Sequence, residues 1–336
     1  MSVVMLTGAS GFLGIHILQR LLDQGQEVRA FVRTPSKLRQ NLAPLGVDPD
    51  DPRIQVVHGD MTDAGAVKEA VSGCDHTIHA AATFSYRRAD ADRMIRENHF
   101  GTTTVLDAAI DAGCSSIVHV SSIAALLRPG ATLDQQSPLG VILGPYTQSK
   151  VESERAARER QQDGAPVAIV YPGGILGPYD PYLGESDQVV RDILCGRLPT
   201  WPRGEMQWVD VRDTAEVVVA ALTRPGRRYL VPGENVTTPH ETLRTVTGRR
   251  LPAVRLPLWA AVPVLQLGYS TDWSFLPHAL EGSRLIALHT RVDYSATSDE
   301  LGVSGRSLAE SMRDTVRWLV EAGHISPRAA GRALQA

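Results

Sequence analysis

Cysteine is scarce in this 336-residue chain: Cys74, Cys114 and Cys195 stand far apart and are odd in number. That rules out a disulfide framework and a paired zinc spacing, and a reducing, cytoplasmic setting is expected. Net charge is nearly absent as well. At −3, the chain lacks the basic excess that a nucleic-acid partner requires. Long apolar runs are missing too. Val3–Leu6 is followed at once by glycine, with no basic segment and apolar core of the secretory kind. Leu256–Gly268 is broken by Pro257 and Pro263 and falls short of the roughly 18 residues of a spanning helix, so it reads as the wall of a pocket. With 43% hydrophobic and 21% charged residues, what remains is an ordinary folding chain with ample core.

What is present starts with Thr7-Gly8-Ala9-Ser10-Gly11-Phe12-Leu13-Gly14, directly after the apolar Val3–Leu6. A short buried strand, a three-glycine turn and a helix opening near Phe12 make a dinucleotide-binding pattern. Gly8 lets the chain turn, Gly11 lets backbone approach a pyrophosphate, and Gly14 lets the helix lie on the strand. The first N–H groups of that helix, around Ser10 to Gly14, face the phosphates.

Strand and helix patterns then alternate. Glu27–Arg33 reads as a second strand, and at its end, about 20 residues past the glycines, an acid would hold the two ribose hydroxyls of NAD. Arg33 stands there instead. Its guanidinium, with Lys37 nearby, suits a 2′-phosphate, so NADP(H) is favoured over NAD(H). Ile54–His58 is a third strand leading to Asp60 and Met61, with Asp60 placed for the adenine amino group and Asp63 the better cap of the next helix. His76–His79 runs into Ala80, Ala81 and Ala82, whose small side chains leave room for a cofactor. His76 and His79 point to opposite faces, so no metal site is expected. A long helix over residues 89–112 stops at Gly113, and Gly101 inside it signals close packing. A fifth strand ends in Ser121 and Ser122, at the carboxyl end of a parallel sheet where ligands bind.

Tyr146 and Lys150 are four residues apart, on one face of a helical stretch continuing to Gln162. Bringing a tyrosine from near 10 toward 7 takes roughly 3 pKa units, about 4 kcal/mol, which a neighbouring ammonium and an oxidised nicotinamide together could supply. Such a phenol exchanges protons with an alkoxide, and Ser122 can hold the same oxygen. On Gly8, Gly11, Gly14, Ser122, Tyr146 and Lys150 the chain resembles the extended short-chain dehydrogenase/reductases, and on Val28–Arg33 and Val120-Ser121-Ser122 in particular their dihydroflavonol 4-reductase-like and 3β-hydroxysteroid dehydrogenase-like branch. The resemblance implies Tyr146 as general acid/base, Lys150 on the nicotinamide ribose and Ser122 on the substrate oxygen. It also implies a loop of Pro172, Gly173 and Ile175 near the nicotinamide amide. A homodimer through the helices near Asp92–Ala112 and Tyr146–Gln162 follows by the same analogy.

The expected fold is therefore α/β: a Rossmann doubly wound parallel sheet from residues 1–171 and 207–231, with a smaller substrate-binding domain from 172–206 and 232–325. In that second part Tyr179 and Trp208, with Thr83, Phe84, Tyr86, Ser122 and Gly174, are expected to line a pocket for an apolar or aromatic substrate. A helix over 304–321 carries Leu308, Met312, Val316 and Leu319 on one face. The expected activity is NADPH-dependent reduction of a small-molecule ketone or aldehyde. A sugar-nucleotide epimerase or dehydratase, using Arg191, Arg197 and Arg203 on a diphosphate, and a non-catalytic NADP(H) sensor are the alternatives.

Overall fold

A computed structural model describes residues 2–85, 88–257, 259 and 277–335. Its centre is a seven-stranded, wholly parallel sheet. In chain order the elements are β1 (Val3–Thr7), α1 (Phe12–Asp23), β2 (Glu27–Val32), α2 (Pro35–Leu42), β3 (Ile54–His58), α3 (Ala64–Val71) and β4 (His76–His79). Then come α4 (Ala91–Asp111), β5 (Ser116–Val120), the short β6 (Thr132–Leu133), α5 (Pro145–Gln162), β7 (Val167–Tyr171) and β8 (Gly174–Leu176). The remainder holds α6 (Glu185–Leu194), β9 (Thr200–Pro202), β10 (Met206–Asp210), α7 (Val211–Ala221), β11 (Arg228–Leu230), β12 (Glu234–Val236) and α8 (Pro239–Thr247). Last are β13 (Val254–Leu256), α9 (Pro277–Ile286), β14 (Arg291–Val292), α10 (Ser295–Leu301) and α11 (Leu308–Glu321).

The sheet order is β11-β7-β5-β4-β1-β2-β3, so the direction of winding reverses between β4 and β1. That reversal leaves a crevice at the carboxyl ends of β1 and β4, the place where open α/β sheets hold ligands. Both faces of β1 are buried, as a central parallel strand demands. Val4 and Leu6 join one core with Ile15, Ile17, Leu18 and Val217, while Met5 joins the other with Val67, Val105 and Leu106. Asp63 caps α3 by accepting from the N–H groups of Gly65 and Ala66, and Gly101 is required because a Cβ there would stand 2.7 Å from the Met61 side chain.

The stretch 172–207, which has no strand and helix alternation in its sequence, nonetheless folds into β8, α6, β9 and the start of β10. Strands this short carry too few residues for a period to show. Parallel pairing of β8 with β10, and antiparallel pairing of β10 with β12, builds a second sheet. A third apolar cluster forms on it from Leu176, Trp201, Trp208, Leu243, Met312 and Trp318. The boundary at residue 325 is less sharp than the sequence suggests. Ile325, Ala330 and Ala333 belong to this third cluster, whereas Val292 and Val303 return to the two cores of the large sheet. Tyr86 and most of Leu256–Gly268 lie outside the described residues. No helix among the described residues is long and apolar enough to cross a membrane.

A buried charged trio fastens α5 to the sheet. The Arg158 guanidinium and the Tyr171 hydroxyl both donate 2.6 Å bonds to Oε1 of the fully buried Glu154. Burial, with Glu154 beside it, holds the Tyr171 phenol well above its ordinary value. Removing one member of a buried pair leaves the other uncompensated. Glu154→Ala is therefore expected to lower the unfolding free energy by about 3 kcal/mol, read from urea denaturation. A change under about 0.5 kcal/mol, the range of ordinary surface substitutions, would contradict the reading.

Candidate active site

The glycine turn is built to bring backbone together. Gly8 has φ +75°, and a Cβ on it would lie 2.7 Å from the Ala81 nitrogen and 2.8 Å from the Ala80 carbonyl carbon. A Cβ on Gly14 would overlap the Gly8 carbonyl, so α1 packs against the turn only while Gly14 has no side chain. Gly11 is the N-cap of α1 and supplies no side-chain acceptor to the first N–H groups of the helix. Those donors point from the positive end of the helix dipole at the crevice, an arrangement that suits an anion.

A cleft of about 350 Å³ opens there. Of the residues assigned to a cofactor from sequence, Gly8, Ser10, Gly11, Arg33, Lys37, Asp60, Met61, Ala80, Ala81 and Ala82 line it, as does Thr83. Phe12, Leu13 and Gly14 form the first turn of α1 behind it. Arg33 keeps two thirds of its side chain exposed, with a guanidinium nitrogen 4.0 Å from the Asp60 carboxylate. Asp60 itself accepts from the Thr62 N–H and hydroxyl at 2.9 and 2.7 Å. These residues fit a dinucleotide: a cradle that any Cβ would fill, uncapped N–H donors for the pyrophosphate, and a cation at the far end of the cleft.

The structure adds Glu97 and Tyr182 to the lining. Glu97 accepts from the Thr83 hydroxyl at 2.8 Å. Tyr182 reaches across from the segment after β8, its ring 5.7 Å from the Lys37 ammonium and its hydroxyl 3.4 Å from the Ser10 carbonyl. No local pattern connects Tyr182 with Ser10, so only the folded chain reveals the contact.

Thr83 leads from this cleft to the candidate chemistry. Its N–H donates to Asn98 Oδ1 at 2.6 Å, and Asn98 Nδ2 donates to Thr83 O and Ser149 Oγ, each at 2.8 Å, which ties the strand end to α4 and α5. The next residue, Phe84, lays its ring edge-on against Tyr146, with centroids 5.2 Å apart. Ser122 accepts from the Ala124 N–H at 3.1 Å, and its hydroxyl lies close enough to the Tyr146 phenol to favour the ionised form, against the effect of burial. Pro145 starts α5, which puts Tyr146 in its first turn and Lys150 one turn further along. Ser122, Tyr146 and Phe84 thus come together.

The surrounding residues do not bring the phenol down toward neutrality: burial pushes Tyr146 up to about 12, against the Ser122 hydroxyl and with Glu185 and Glu281 acting in the same direction. Burial also lowers Lys150 to about 8. Behind it, His79 and His119 stack with centroids 5.5 Å apart, and burial, assisted by neighbouring charge including that of Lys150, holds both far below the usual imidazole range.

Two expected pocket residues lie elsewhere. Trp208 is 2% exposed and packs inside the third apolar cluster, so it is core rather than pocket wall. Tyr179, at φ +67°, lines a different groove with His16, Pro178 and Trp318. Both carried aromatic rings in a region without periodicity, and type alone could not separate core from lining. Pro172 accepts from the Ile123 N–H at 3.0 Å. Gly173, Gly174 and Ile175 hold the entry to β8, where a Cβ on Gly173 would stand 2.7 Å from the Gln207 side chain and one on Gly174 2.5 Å from Met206. Strand packing alone therefore accounts for those two glycines. Among the described residues there is no group of three or more candidate metal ligands. Arg191 and Arg197 both turn to Asp192.

The family profile described as "NAD dependent epimerase/dehydratase family" matches residues 4–231. The chain belongs to that family. Its NAD(P)-dependent enzymes include relatives named as reductases, dehydrogenases and dehydratases. A Synechocystis protein provisionally named dihydroflavonol 4-reductase is 31% identical, over 95% of each chain. Sterol demethylase protein B of Methylococcus capsulatus is 29% identical over 96% of this chain and 99% of its own. Among solved structures, a dTDP-glucose 4,6-dehydratase variant from Streptomyces venezuelae, with NAD bound, superimposes with a TM-score of 0.74 at 27% identity, over 95% of this chain and 97% of that one.

The depressed Lys150 fixes the sign of a pH effect. Between pH about 8 and 10.5 the unfolded chain holds a proton on this lysine that the folded chain has lost, so folding stability rises with pH through that window. In nucleotide-free protein, wild type is expected to gain stability relative to Lys150→Met from pH 8 to 10.5 in urea titrations. Parallel pH curves for the two proteins would refute the assignment.

Proposed function

We propose that this enzyme is an NADPH-dependent reductase that converts a ketone or aldehyde of an apolar small molecule to the alcohol. The observation that carries the reading is the packing of the Phe84 ring against the Tyr146 phenol, with the Ser122 hydroxyl acting on that phenol, directly after Thr83 in the wall of a cleft that suits a dinucleotide. When bound, the nicotinamide supplies the hydride. Tyr146 gives its phenolic proton to the carbonyl oxygen, and Ser122 holds that oxygen in line. A protonated phenol is the competent acid, and its surroundings keep it protonated at neutral pH. Lys150 holds the cofactor ribose and replaces the proton. Phe84, half exposed next to Tyr146, offers an apolar face to the substrate.

The 2′-phosphate is assigned to Arg33, with Lys37 as a second cation. An acid at this place would repel that phosphate, whereas an arginine binds it in a bidentate fashion. The sugar-nucleotide alternative is less well supported, because two of its three arginines, Arg191 and Arg197, pair with Asp192, leaving Arg203 for the diphosphate.

Loss of NADPH absorbance against a panel of aromatic and alicyclic carbonyls tests the activity. Tyr146→Phe is expected to lower kcat by about 10²–10⁴ while leaving NADPH affinity within a few-fold. Unaltered turnover in Tyr146→Phe would dismiss the mechanism, and nucleotide binding without turnover of any carbonyl would favour the sensor reading. Separately, Arg33→Ala is expected to weaken NADPH by about tenfold or more, on the scale of a charge-assisted bond, and NADH hardly at all. Equal losses for both would refute the phosphate assignment.

A further inference from the structure

The first turn of α5 is held by a carboxylate from a distant part of the chain. Glu281, on α9, is 7% exposed. Its Oε1 accepts from the Thr147 N–H at 2.8 Å and the Thr147 hydroxyl at 2.9 Å, and its Oε2 accepts from the Tyr146 N–H at 3.2 Å. The N-cap residue of this helix, Gly144, has no side chain with which to do the same. Gly144 is also what admits Glu281, since a Cβ there would stand 2.6 Å from the carboxylate. Gly144 is fully extended, so the requirement is for space and not for an unusual backbone angle.

We propose that Glu281 is a positioning residue for Tyr146, fixing the turn that carries the phenol and, through its negative charge, favouring the protonated acid. The inference rests on the reading of Tyr146 as general acid. A helix N-terminus is positive and by itself promotes ionisation of a group in its first turn. A carboxylate seated on those N–H groups cancels that influence and leaves a proton donor where an uncapped helix would tend to leave a phenolate. The charged and titratable groups around Tyr146 are Lys150 on its own helix, Glu185 on α6, and Glu281 with Arg284 on α9, whose guanidinium donates to the Leu143 carbonyl at 3.2 Å. His79 and His119 lie beyond Lys150. Of these, Glu281 alone touches the Tyr146 backbone in the bonds described, so it couples α9 directly to the reacting side chain.

Four variants test this: Glu281→Gln, Glu281→Ala, Gly144→Ala and the double Gly144→Ala/Glu281→Ala. Ionisation of Tyr146 is followed by NMR on protein labelled in the tyrosine ring, with the resonance identified by its loss in Tyr146→Phe. Glu281→Gln keeps an acceptor and loses the charge, and its ionisation constant for Tyr146 is expected to rise about tenfold, one pKa unit. The acid limb of the alcohol-oxidation pH profile, measured with whichever alcohol corresponds to the best carbonyl of the panel, moves down with it. An equal ionised fraction in wild type and Glu281→Gln at about pH 11, or a lowered kcat on an unmoved pH profile, overturns the proposal. Gly144→Ala displaces the carboxylate without deleting it and tests the same contact should the Glu281 variants fail to fold. It is expected to lower kcat more than it raises KM, and the double variant to be no slower than the slower single one. Effects that multiply would show that the two residues act independently, against the proposal. Turnover surviving in Tyr146→Phe would remove the catalytic reading while leaving the NMR result to judge the contact alone.

Discussion

Everything at this site depends on the absence of a side chain at Gly14. Its Cα faces the Gly8 carbonyl with no room for another atom, and that contact sets α1 close against the turn after β1. The close approach aims the uncapped N–H groups of α1 into the crevice at the reversal of strand order. The three alanines after β4 stand on the other side of the same crevice, near enough that Gly8 also has no room for a Cβ. A dinucleotide cleft follows from these backbone contacts more than from any polar side chain.

Around that rigid part the proposed acid-base groups, and the ring packed against them, come from three directions. Ser122 follows β5, Tyr146 and Lys150 belong to α5, and Phe84 follows β4. Their relative placement depends on buried polar ties: Asn98 between the strand end and α5, Glu154 with Arg158 and Tyr171 between α5 and β7, and Glu281 on the first turn of α5. Each tie crosses between elements, and in the Glu154 trio both donors share one carboxylate oxygen, Oε1. Burial, assisted by the nearby carboxylates, keeps the phenol protonated, which suits an acid in the reducing direction better than a base.

The part of this that was legible in the sequence is the part made of local pattern. The turn after β1 into α1, the alternation of strand and helix through residue 171, the Asp63 cap and the placement of Tyr146 and Lys150 one turn apart on α5 are all settled within a few residues of chain, and the structure has these elements where the sequence places them. The rest depended on contacts between distant residues. β8 is three residues long and exists because β10 pairs with it. Tyr182 and Glu281 act on residues far away in the chain, and neither carries a local signature. Trp208 and Tyr179 show the limit from the other side: an aromatic ring in an aperiodic stretch is compatible with core, groove or pocket, and packing decided against the pocket for both.

The central position of β1 also bears on how the chain is made. Val4 pairs with Val28 on one side and with His76 on the other. At synthesis rates of about 5–20 residues per second, β1 waits several seconds after leaving the ribosome for its second neighbour, β4. Until β4 arrives, Val4, Met5 and Leu6 form a bare apolar edge, and parallel pairings of this kind are slow to close. The strand that anchors the finished sheet is therefore the segment most in need of protection by a chaperone while the protein is being born.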